Sequence, residues 1–142
     1  MKLLVIVFSL ISFTVVAQSS AENWKTLGTL EYEKSKDEYG EIFVPKFGDQ
    51  IRKIEGKEIE LSGYIIPFEG MFEPDHLIVS SVPVASCFFC GGAGPESVAE
   101  IYLNEPVKYT AKKVTFKGTL TLNDSDVDQL MYILKDARIE TD

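Results

Sequence analysis

A mainly β fold, a small five-stranded barrel of OB type with short helical inserts, is predicted by three features of the sequence. Apolar and polar residues alternate with period two over several short runs. Prolines and glycines punctuate those runs at the spacing of short strands. Glycines also fall inside two of the runs, at Gly63 and Gly118, as the sharp coil of a small barrel requires. A small antiparallel β-sandwich is the alternative that the same strand count allows.

The elements follow in order. Met1 to Ala17 has the three-part layout of a secretory signal. Lys2 is followed by an apolar run from Leu3 to Val16, and Val15-Val16-Ala17 offers small residues ahead of polar Gln18. The apolar stretch is about 14 residues, against the roughly 20 of a spanning helix. Cleavage between Ala17 and Gln18 is therefore expected, with a periplasmic location for the remainder. Residues 18–44 read as an N-terminal lead. Within it Ser19 to Glu22 is flexible, Trp24 to Leu30 is a turn of helix running into a strand, and Tyr32 to Gly40 is charged and exposed.

Residues 45–142 hold the predicted β domain. Asp49 is placed to cap a short helix with Ile51 and Ile54 facing inward, and Gly56 ends it. Ile59, Leu61, Gly63 and Ile65 then alternate with Glu58, Glu60, Ser62 and Tyr64 until Pro67 closes the strand. His76 to Val82, Ser97 to Leu103 and Val114 to Leu122 are the next three strands. Asn123 to Gln129 is a polar turn or a single helical turn. Met131 to Ile139 is read as the last strand, although its apolar spacing also fits a helix.

The run from Ile54 through Gly56-Lys57-Glu58-Ile59-Glu60-Leu61-Ser62-Gly63-Tyr64-Ile65-Ile66 to Pro67, followed by a strand and a cysteine loop, resembles an exported bacterial family. That family is known as domain of unknown function 3299. The resemblance spans Pro45 to Ile101 and, more loosely, the rest of the chain after residue 17. It implies a periplasmic OB-like domain without an established activity, in a family discussed alongside metal homeostasis. Many members carry a Cys followed two residues later by His. Here Phe89 stands at that place, followed by Cys90, Gly91 and Gly92.

Charge excludes some partners. A net charge of −8 repels phosphate backbones and anionic lipid, so neither nucleic acid nor, once the signal is removed, a membrane is an expected partner. An unknown protein or a small ligand remains.

Chemistry concentrates at Cys87-Phe88-Phe89-Cys90. In an oxidising compartment this pair is expected to form a local disulfide that fixes the glycine-rich loop Gly91-Gly92. Phe88 and Phe89 are expected in the core, as paired aromatics usually are; the alternative, in so tight a loop, is that they diverge and one ring faces solvent as a docking point, so that Phe88, Phe89, Gly91 and Gly92 form part of a binding surface. Cofactors are not expected on this reading. Two alternatives stay open. As thiolates, Cys87 and Cys90 could bind Cu, or Zn if a dimer pools four sulfurs, and so serve metal homeostasis. His76 with Glu96 or Glu100 could complete a monomeric site, although His76 should lie at the far end of its strand from the cysteines. A thiol–disulfide oxidoreductase would need an acidic thiolate at a helix N-terminus, and the glycines after Cys90 forbid that helix. No catalytic set is evident, and the reading favours binding over catalysis. Asp124, Asp126 and Asp128 open like a calcium loop, but Gln129 and Lys135 occupy its glycine and glutamate positions. A helix cap at Asn123 or Asp124 explains the same residues.

Overall fold

The computed structural model describes residues 18–68 and 74–140; the predicted signal, Met1 to Ala17, lies outside them. Helix α1 (Ser20–Leu27) is followed by a hairpin, β1 (Glu31–Asp37) and β2 (Gly40–Lys46), and by a short helix α2 (Asp49–Arg52). Strands β3 (Glu58–Ile65), β4 (His76–Ser80), β5 (Val98–Leu103), β6 (Val114–Leu122) and β7 (Tyr132–Glu140) follow. These five close into a barrel in the order β3-β4-β5-β7-β6. All pairs are antiparallel except β5 with β7, which run parallel. The fold is thus the OB-like barrel, not the sandwich, and the ambiguous last segment is a strand.

The period-two pattern chooses the inner face. Ile59, Leu61, Gly63 and Ile65 of β3, and Phe116, Gly118 and Leu120 of β6, are buried in strict alternation. The core continues through Leu77, Val79, Ile101, Leu134 and Ala137. Ile51 of α2 and Ile54 just beyond its end seal it, both inward as their spacing predicts. The two interior glycines are steric requirements. A Cβ on Gly63 would strike Val79 and the carbonyl of Ser80, and one on Gly118 would sit 2.8 Å from the carbonyl of Lys135. Gly118 lies opposite a bulge in β7, where Asp136 adopts φ 51° and the register slips. Bulges of this kind let a sheet bend enough to close.

Three local expectations need correction. Ser20 to Glu22 is not flexible lead but the first turn of α1, capped by Ser19, whose hydroxyl accepts from the N–H of Glu22. Asp49 is not the cap of α2; Gly48 is the cap residue, and Asp49 is the first helical residue, where its charge suits the helix dipole. Asn123 caps no helix. Its Oδ1 accepts from the N–H groups of Ser125 and Asp126, while its amide donates to the carbonyls of Asp126, Gln129 and Leu130. One side chain therefore makes most of the hydrogen bonds that shape the turn between β6 and β7, joined by the Asp128 N–H on Asp126 Oδ1 and the Gln129 N–H on the Asp126 carbonyl.

Helix α1 takes a structural role that its sequence does not announce. Strand β4 pairs with β3 only at Tyr64 and Ile65, leaving the earlier part of that edge uncovered by strand. There the side chains of α1 substitute for a neighbouring strand. Asn23 donates to the carbonyl of Glu60, Trp24 Nε1 donates to that of Ser62, and Ser20 Oγ accepts from the Ser62 N–H. Leu27 is buried in the core, and its carbonyl accepts a 2.7 Å hydrogen bond from Tyr132 Oη. By contrast the β1–β2 hairpin is exposed along nearly all its length. Burial pushes the Tyr32 phenol near its base up to about 12, with the neighbouring Glu96 carboxylate adding to the shift.

Candidate functional site

Residues 81–97 join β4 to β5 and carry the cysteines. The Ser81 N–H donates to the Ser97 carbonyl at 2.9 Å, closing the base of the loop. Within it the chain makes three successive single 3₁₀ turns, Val84–Ser86, Phe88–Cys90 and Pro95–Ser97. The second holds the motif. The N–H groups of Cys90 and Gly92 both donate to the carbonyl of Cys87, and the N–H of Gly91 donates to that of Phe88. Gly91 ends the turn at φ 77°, a left-handed conformation that glycine adopts without a steric penalty. Gly92 is required for space, since a Cβ there would press on the backbone of Ser86. The predicted pair of glycines thus shapes the loop by two different mechanisms.

Both cysteines are thiols in this structure, their sulfurs 3.9 Å apart, against the roughly 2.05 Å of a disulfide. The backbone hydrogen bonds hold the loop without a covalent link. Cys87 is buried and Cys90 exposed. The hydrogen bond shared with Cys87 holds the Cys90 thiol above its ordinary range, and burial adds to the effect. That is the opposite of the acidic thiolate that a thiol–disulfide oxidoreductase needs.

The two aromatic rings stay in contact with each other, and neither is fully buried. Phe88 is half-buried, while Phe89 is 48% exposed and meets its neighbour edge-on at 5.3 Å between centroids. Sequence reasoning missed a third ring. Phe68, 47% exposed, makes a perpendicular contact with Phe89 at 6.1 Å. It lies 21 positions earlier in the connection between β3 and β4, and no local pattern ties it to the cysteine loop. Three phenylalanines therefore form one continuous apolar patch beside the exposed sulfur.

The other proposed ligands are placed elsewhere. His76 and Glu100 come together away from the loop, with His76 and Tyr102 at the remote end of the β4–β5 ladder and Glu100 at its middle, paired with Ile78. His76 Nε2 donates to Glu100 Oε1 at 2.6 Å, and the imidazole stacks on the Tyr102 ring at 4.2 Å. Tyr102 Oη also donates to Oε1, Gln129 donates to that hydroxyl, and the Leu130 N–H donates to Oε2. Glu100 is only 5% exposed, and three donors compensate its burial. Glu96 faces Tyr32. Among the described residues no three His, Cys, Asp or Glu side chains converge as a metal site, and no helix is long and apolar enough to cross a membrane. Compared with known proteins, the chain matches no family model, no curated protein and no solved structure.

Proposed function

We propose that the protein is an exported periplasmic binding domain that docks a protein or small-ligand partner through the loop Cys87 to Gly92. The observation that carries this reading is the patch of Phe68, Phe88 and Phe89, in which Phe68 and Phe89 are about half exposed and Phe89 stands on a loop fixed by its own backbone hydrogen bonds. Exposed aromatics on a rigid support lose little conformational freedom on binding and often anchor interfaces. The closed barrel supports the loop at both ends, since all of β4 pairs with β5 from Ser80–Val98 at the loop's base to His76–Tyr102. Oxidation of the two thiols by a protein disulfide donor would form the Cys87–Cys90 bond, break the donor's own S–S bond and pass two electrons and two protons to it, so that the donor leaves as a dithiol; the loop would close further, without needing the bond to shape it.

A photo-crosslinking amino acid placed at Phe89 tests the reading in living cells, with a second placed at Val127, which is 97% exposed on a different loop. A discrete adduct from position 89 and none from position 127 is the expected result. Equal or absent labelling from both positions would sink the docking reading.

A further inference from the structure

We infer that the reduced Cys87–Cys90 pair is a binding site for one monovalent thiophilic cation of the Cu(I) class, held by both sulfurs with a further position open to an external donor. This goes beyond the docking role and does not depend on it. A metal–sulfur bond of about 2.3 Å, with an S–metal–S angle between tetrahedral and trigonal, places two sulfurs about 3.8–4.0 Å apart. The observed 3.9 Å lies inside that interval. A cation can therefore bridge the pair without moving the backbone, which the hydrogen bonds from Cys90, Gly91 and Gly92 already hold in place. Closing a disulfide instead requires the sulfurs to approach by nearly half that separation.

Ligand number selects the ion. Structural zinc takes four protein ligands, and the described residues bring no third His, Cys, Asp or Glu to the sulfurs. Two soft thiolates suit Cu(I), which accepts low coordination. On binding, each thiol gives its proton to solvent and each sulfur forms one bond to copper, so two protons leave for each cation. Cys87 lies buried behind the loop, and Cys90 is exposed. The open position therefore faces outward beside Cys90, where a thiol of another molecule can attach and take the ion over.

The test uses reduced protein under argon, with Cu(I) presented as its bicinchoninate complex. The expected result is transfer of one copper per chain, release of two protons per copper, and sulfur neighbours in the copper X-ray absorption spectrum. Cys87→Ser/Cys90→Ser should take up none. Because Cys87 is in the core, Cys90→Ser is the safer companion, and it should lose the transfer while keeping the thermal unfolding curve of the parent. Unchanged copper uptake by Cys90→Ser would overturn the inference, as would no uptake by the parent. Stoichiometric zinc held between two chains would also overturn it, since that result replaces the open position with a second pair of sulfurs.

Discussion

The two ends of the β4–β5 pair treat polar and aromatic side chains in opposite ways. Towards one end, around His76 and Tyr102, Glu100 is buried, and its carboxylate oxygens are met by donors from His76, Tyr102 and Leu130. At the other end the loop satisfies its backbone while leaving the Phe89 and Cys90 side chains facing solvent. The first arrangement is complete in itself and ties the β6–β7 turn to the barrel. The second is rigid but unfinished on its outer side. A burial-plus-hydrogen-bond cluster is thus not a sign of function by itself, and here the site with unspent surface is the better candidate.

Mutation should separate the two ends, beginning with the largest effect. Glu100→Ala leaves the Leu130 N–H and the Tyr102 hydroxyl without their acceptor. It should cost about 3 kcal/mol, seen as a lower urea midpoint, with docking at Phe89 retained. Gly92→Ala drives a Cβ into the Ser86 backbone. It should cost about 1–3 kcal/mol, with spectral changes confined to the loop on a residue-by-residue nuclear magnetic resonance map. Phe88→Ala removes a half-buried ring and should cost about 1 kcal/mol. Phe89→Ala should change stability by under about 0.5 kcal/mol while abolishing partner capture in the cell. If Phe89→Ala destabilises as much as Glu100→Ala does, the contrast between the ends collapses.

The smallest effect is a pH profile. Because its hydrogen bond with Cys87 raises the Cys90 pKa, the protonated thiol persists below that raised value and gives way to thiolate only above it. Alkylation of Cys90 by iodoacetamide should therefore rise at a higher pH than for an unhindered thiol. Cys87→Ser should move the profile back down if the neighbouring sulfur is the cause. No displacement in that variant would mean that the sulfurs do not act on each other.

Much of the barrel was legible because each strand repeats one rule: Ile59, Leu61 and Ile65, or Phe116 and Leu120, fall at every second position. The cysteine loop was legible as a candidate because its residues are contiguous. Phe68 was not, since only tertiary folding brings the β3–β4 connection against Phe89. The His76–Glu100 contact escaped for a related reason: β5 shows alternation, but the turn from Asn123 to Leu130 folds over its outer face and buries Glu100 as well. The helix α1 was underread because Ser20, Asn23 and Trp24 are polar or amphipathic, and their value lies in hydrogen bonds to a strand about forty residues away.

That helix has a consequence for any shortened or tagged form of the protein. The groups of Ser20, Asn23 and Trp24 are what stands between β3 and a free sheet edge. A chain beginning after Gly28 would keep all five strands yet present the Glu60 and Ser62 backbone to any passing strand, and light scattering should detect its self-association. The first helix is thus a guard against aggregation, and the segment just ahead of it is a poor place for a bulky fusion.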